Sequence, residues 1–116
     1  MELTRQEVLT DSLDELLPVL VEGYDPEQVI LFGSMARGDV EEWSDLDLLI
    51  VKETTESFLD RSVRVALLCR STVGVDYLVY TPSELAQMIE RGNPFILNAL
   101  QEGLILYDRR TDPSLA

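Results

Sequence analysis

Asp45 and Asp47 stand two residues apart at the start of an otherwise apolar run, Leu46-Asp47-Leu48-Leu49-Ile50-Val51. On a strand, residues i and i+2 share a face, with Cα atoms about 6.5–7 Å apart. Two carboxylates reaching forward from those positions can chelate one divalent ion and share a second about 3.5–4 Å away, the spacing of two-metal phosphoryl-transfer sites. Oxygen-only ligands suit Mg²⁺ or Mn²⁺. Without a cation between them, acids this close raise one another's pKa. Leu46, Leu48 and Ile50 take the other face, toward a core. A third acid should come from a neighbouring strand. Asp76, in Val75-Asp76-Tyr77-Leu78-Val79, is the only acid inside that apolar pattern. Its flanks place it in or near the core, where a carboxylate needs a partner. Metal is one such partner and an arginine is another.

Upstream, a β-rich run, Gln28-Val29-Ile30-Leu31-Phe32, stops at Gly33-Ser34. Gly33 permits a sharp turn and close backbone approach to a ligand. Ser34 adds a hydroxyl, and a helical turn starting there would aim backbone N–H groups at a phosphate. Arg37, one turn on, offers a fork of donors to a phosphate oxygen or is a plain surface arginine. Asp39, Glu41 and Glu42 read as a solvated acidic loop. Trp43, Tyr77 and Tyr80 read as packing residues rather than base-stacking ones. A lone Gly-Ser or a lone Asp-x-Asp is a weak signal; ordinary loop and turn roles exist for both. Together, at a strand end and a strand start, they describe a site that handles a nucleotide's phosphates with metal.

The elements that position these residues are legible. Thr4 with Glu7 is a capping-box signal, followed by Val8, Leu9, Leu13, Leu16, Leu17 and Leu20 at helical spacing. Pro18 should kink or end that helix, and Gly23-Tyr24-Asp25-Pro26 reads as a turn. Strands are predicted over Gln28–Phe32, Leu46–Val51 and Val73–Tyr80, with Met35–Gly38 as a single helical turn. A helix opening at Thr54/Thr55 runs to about Cys69. Thr81-Pro82-Ser83-Glu84 starts another, by a cap, a first-position proline and a capping box, running to about Arg91-Gly92. Pro94–Gln101 is a short helix and Gly103–Tyr107 an edge strand. Helices between strands imply an α/β or α+β fold, with a small sheet covered at least partly on both faces. The reading is one domain over residues 1–116, with 109–116 as a frayed tail. The apolar residues of the 94–107 segment exceed what a short end segment needs and make it a candidate partner surface.

Composition narrows the function. The 116 residues are 46% hydrophobic, which speaks against disorder. No apolar run approaches the ~20 residues of a membrane span, and the start lacks the pattern of a signal peptide. The expectation is a soluble cytoplasmic protein. There is no histidine, so Ser-His-Asp chemistry, Cys-His chemistry and His-ligated zinc are out. Cys69 is the only cysteine, read as a buried inert thiol. Nine basic residues against twenty-two acidic ones give a net charge of −13, with a single lysine, Lys52. Such a surface repels a nucleic-acid strand, which needs clustered cations. A single nucleotide carried with Mg²⁺ is compatible, because the metal cancels much of its charge.

Leu31-Phe32-Gly33-Ser34-x-Ala36-Arg37-Gly38 and, ten residues after the Gly-Ser pair, Ser44-Asp45-Leu46-Asp47-Leu48 closely resemble the DNA polymerase β-like nucleotidyltransferase superfamily. The match is to its small stand-alone branch, the minimal nucleotidyltransferases. It is strong from about Val29 to Tyr80 and looser beyond. The resemblance implies a small mixed sheet flanked by helices. It implies that Gly33 and Ser34 hold an NTP, ATP foremost, and that Asp45 and Asp47 bind two Mg²⁺ ions. Asp76 would complete one metal site and help deprotonate an acceptor hydroxyl. Members of this branch commonly pair with an all-helical HEPN protein as toxin and antitoxin, which implies a HEPN-type partner and AMP transfer to a protein hydroxyl, tyrosine favoured. The alternatives are a non-catalytic antitoxin that neutralises its partner by contact, and the catalytic subunit of a small-molecule nucleotidyltransferase. Homo-oligomers are compatible with each.

Overall fold

The computed structural model describes residues 2–111. Helix α1 spans Arg5–Tyr24 and is opened by the predicted capping box: Glu7 N–H donates to the Thr4 hydroxyl at 3.1 Å, and Thr4 N–H to the Glu7 carboxylate at 3.0 Å. Its buried stripe is Leu9, Leu13, Leu16, Leu20 and Tyr24. Pro18, expected to kink or end the helix, lies inside α1 and does not end it. It is exposed, so the carbonyl its missing N–H leaves free, on exposed Asp14, faces water, and the stripe continues past it.

Strand β1 covers Gln28–Phe32, the one-turn helix α2 Ser34–Arg37, strand β2 Leu46–Val51, and helix α3 Phe58–Cys69. Strand β3 is Val75–Tyr80, α4 is Pro82–Glu90, α5 is Pro94–Glu102 and β4 is Leu104–Asp108. The sheet order is β3-β2-β1-β4, with β2–β3 parallel and both pairings of β1 antiparallel. This is the mixed α/β fold expected. Alternation along the strands makes two cores. Val29, Leu31, Leu46, Leu48, Ile50, Tyr77 and Val79 face α1 and Val65 of α3. Ile30, Phe32, Leu49 and Val51 face Ile96 and Ala99 of α5, with Leu85 and Met88 of α4 alongside.

Three details bear on the sequence reading. Helix α3 begins at Phe58, because Ser57 accepts from Asp60 N–H at 3.2 Å, while the Thr54 hydroxyl is used in a local turn to Glu56 N–H. Arg109–Thr111, read as frayed, form a 3₁₀ turn tied to Asp108; the rest of that tail lies outside the described residues. In the 94–107 segment, Ile96 and Ala99 are buried, whereas Phe95, Leu97, Leu104 and Ile105 are exposed. Among the described residues, no helix is long and apolar enough to cross a membrane.

Candidate active site

Antiparallel pairing sets Phe32, the last residue of β1, against Asp47, and parallel pairing sets Asp47 against Asp76. Register partners project to the same side, so both acids lie on the α4/α5 face of the sheet, at the end where β1 stops and β2 and β3 begin. Gly33 ends β1 with φ +75 and ψ −158, a backbone state essentially confined to glycine. A Cβ there would collide with the Asp47 carboxylate. Glycine therefore serves twice, allowing the turn and making room for the acid. Gly74, just before β3, likewise makes room for Asp45, whose carboxylate lies 2.7 Å from where a Cβ would be.

An open cleft of about 620 Å³ lies over this end of the sheet. It brings together all six residues predicted for the site: Gly33, Ser34, Arg37, Asp45, Asp47 and Asp76. Ser34 opens α2, whose turn closes by Ala36 and Arg37 N–H donating to the Gly33 carbonyl. Asp47 is half-buried, and its carboxyl is pushed up to about 6 by that burial, by the charge of Asp76 and a hydrogen bond shared with it, and by Asp45. Arg37 acts weakly in the opposite direction. Two oxygen acids forced together in this way are a donor set that a hard divalent cation relieves.

Several positions depart from expectation. Asp76 is exposed rather than buried, because the sheet edge opens into the cleft before α4 covers it. Asp45 turns toward α1: Arg5 donates to its carboxylate at 3.2 Å and to the Ser44 carbonyl at 2.8 Å. As they stand, no three such acids among the described residues converge on one point. Asp45 would have to leave Arg5 to join the other two. The donors of Arg37 are taken internally, by Asp39 at 3.1 Å and Glu102 at 3.3 Å. Asp39 is thus paired rather than merely solvated. Trp43 is 77% exposed on the cleft rim, so it is no packing residue.

Glu102, Arg5, Phe95 and Asn98 escaped the sequence reading. Arg5 and Glu102 meet the site across 40 and 69 residues of chain. Phe95 sits with its ring edge-on to Phe32, centroids 5.8 Å apart, and lines the cleft with Asn98. No local spacing announces these contacts.

The chain is similar to known proteins along most of its length. The family described as "Polymerase beta, Nucleotidyltransferase" matches residues 14–112. The "putative protein adenylyltransferase MJ1305" of Methanocaldococcus jannaschii is 31% identical over 112 residues, covering 90% of this chain and 75% of its own. A second protein of that organism, "putative protein adenylyltransferase MJ0604", is 35% identical over 81 residues, covering 70% of this chain and 78% of its own. The crystal structure of a "putative nucleotidyltransferase" from Sulfolobus solfataricus superposes with a TM-score of 0.54 at 22% identity, covering 95% of this chain and 96% of the other, and shares the fold. Matched along almost its whole described length, the chain belongs to the polymerase beta nucleotidyltransferase family and is a nucleotidyltransferase.

Proposed function

We propose that the chain transfers AMP from ATP to a hydroxyl of a partner protein, with tyrosine as the favoured acceptor. The observation that carries this reading is the pairing of Asp47 and Asp76 in register, directly over the Gly33 turn and inside one cleft with Asp45 and Arg37. Gly33, Ser34 and Arg37 hold the triphosphate. Asp45, Asp47 and Asp76 hold two Mg²⁺ ions. When bound, these ions neutralise charge on the phosphates and on the attacking and leaving oxygens. The protein's own part is positioning and proton handling. Asp76, exposed to the cleft, takes the acceptor's proton; the acceptor oxygen bonds to the α-phosphorus, the bond to the β-phosphate oxygen breaks, and pyrophosphate leaves. Direct transfer suits a chain with no histidine and with one thiol, Cys69, whose pKa partial burial pushes up.

A protein acceptor is favoured on two grounds. A net charge of −13 disfavours a nucleic-acid strand, and the two Methanocaldococcus jannaschii relatives carry the name "putative protein adenylyltransferase". The partner is a helical HEPN-type toxin, by the resemblance of the Gly33-Ser34 and Asp45-x-Asp47 motifs, and this chain is its antitoxin in the cytoplasm. The second reading, an antitoxin that acts by contact alone, is favoured by one observation: Arg5 holds Asp45 away from the other acids.

The two readings separate when the chain and the protein that copurifies with it from the native host are incubated with α-labelled ATP and Mg²⁺. Transfer predicts label on the partner and a mass gain of one AMP, both abolished by Asp76→Asn with the complex intact. Neutralisation without label, equally by wild type and by Asp45→Asn/Asp47→Asn, would replace transfer with contact.

A further inference from the structure

The donors that the proposed function assigns to the nucleotide's phosphates are already engaged by an anion of the chain itself. Gly33 N–H donates to Glu102 Oε1 at 3.0 Å, and an Arg37 guanidinium nitrogen lies 3.3 Å from both oxygens of the same carboxylate. Glu102 is the last residue of α5, lines the cleft, and has a side chain only 16% exposed. Its reach is preset. Gly103 is wedged so closely between α5 and β1 that a Cβ there would lie 2.6 Å from the Ala99 carbonyl and 2.7 Å from the Ile30 side chain, which pins the chain beside the Gly33 turn.

A carboxylate resting on a backbone N–H and an arginine makes the same kind of contact that a phosphate oxygen makes. We propose that Glu102 is a resident competitor for the phosphate site, a carboxylate that a polyphosphate must displace from Gly33 and Arg37 before it can bind. This rests on the reading that Gly33 and Arg37 take phosphate. Two features make the contact displaceable rather than a fixed tie. The Arg37 contacts are longer than the 2.7–2.9 Å of strong charge-assisted pairs, and the Arg37 side chain is 46% exposed, with Asp39 as a second partner.

The consequence is selectivity. The cleft holds Asp45, Asp47 and Asp76 besides Glu102, so a bare polyphosphate meets four carboxylates and must evict one of them. A metal-bound nucleotide carries less negative charge and binds the acids instead of opposing them. After transfer, Glu102 reclaims Gly33 N–H and Arg37, which favours departure of pyrophosphate. Glu102 thus sets which form of the phosphate chain enters and eases the release of the product.

The test uses inorganic tripolyphosphate, which has no base or ribose, titrated calorimetrically in chelator without metal. Wild type is compared with Glu102→Ala, with Glu102→Gln, which keeps an acceptor oxygen for Gly33 N–H, and with Glu42→Gln, which removes an equal charge from the exposed loop. Melting curves establish that each variant is folded. Both Glu102 variants should bind tripolyphosphate about ten- to a hundred-fold more tightly than wild type, the worth of a hydrogen bond to a charged group. Glu42→Gln should stay within about twofold, the reach of a screened surface charge. Weaker binding by the Glu102 variants would make the residue a support of the Gly33 turn and overturn the proposal, as would equal binding by all forms or no metal-free binding by any. If wild type fails to bind tripolyphosphate even with Mg²⁺, the phosphate-site reading beneath the proposal falls as well.

Discussion

Burial over Gly33 and the neighbouring carboxylate of Asp76 raise the Asp47 carboxyl to about 6, against 3.8 for an unperturbed aspartate. Below the unperturbed value both folded and unfolded chains keep the proton, and the site costs no stability. As the pH rises toward 6 the unfolded chain ionises first, so the folded state loses ground; above 6 both are ionised and the cost is complete. In chelator, Asp47→Asn should therefore raise Tm by about 2–5 °C at about pH 7.5 and leave it nearly unchanged at about pH 4. Thermal melts at the two pH values check this; a gain of the same size at both would mean that charge is not the cause. The spacing of Asp45 and Asp47 and the lone Asp76 were visible in the sequence because strand periodicity converts spacing into a shared face. Arg5 on Asp45 and Glu102 on Gly33 were not visible, because those contacts depend on where α1 and α5 dock.

At the scale of elements, Arg61 of α3 is buried at 5% exposure yet spans three structures. It donates to the Val79 carbonyl of β3 at 3.1 Å, to the Glu56 carbonyl at 2.9 Å, and to both carboxylate oxygens of Glu84 at 2.6 and 3.3 Å. Glu84 at the same time accepts from Thr81 N–H, closing the capping box that starts α4. The guanidinium thus fixes α4 to the sheet, and α4 flanks the α5 face that covers the site. Arg61→Ala should destabilise the fold by about 2–3 kcal/mol, because it removes a buried hub and leaves the Val79 carbonyl unpaired. Urea unfolding measures it; a loss within experimental error of zero would show that water replaces the guanidinium. The sequence shows the Thr81–Glu84 box plainly, since capping is a local pattern. It shows Arg61 only as one more arginine on an amphipathic helix, because its partner lies 23 residues away. The same locality explains Pro18: the rule that proline ends helices weighs one lost hydrogen bond, whereas the stripe from Leu9 to Tyr24 buries five large side chains.

For the whole molecule, charge and apolar surface point in the same direction. The chain carries a net charge of −13 and its cleft is lined by Asp45, Asp47 and Asp76, so anions enter it more readily together with cations. Exposed Phe95 and Leu97 on α5, with Leu104 and Ile105 on the edge strand β4, adjoin the helix that carries Glu102, which suits a protein partner held beside the cleft. The central claim is that this cleft binds a nucleotide through metal on Asp45, Asp47 and Asp76. Calorimetric titration of ATP into the protein, with Mg²⁺ and with chelator, tests it most directly, using wild type and a folded Asp45→Asn/Asp47→Asn variant. The account predicts binding to wild type that strengthens at least about tenfold with Mg²⁺ and a variant that loses this gain. ATP binding of equal strength with and without Mg²⁺, in both proteins, would contradict it.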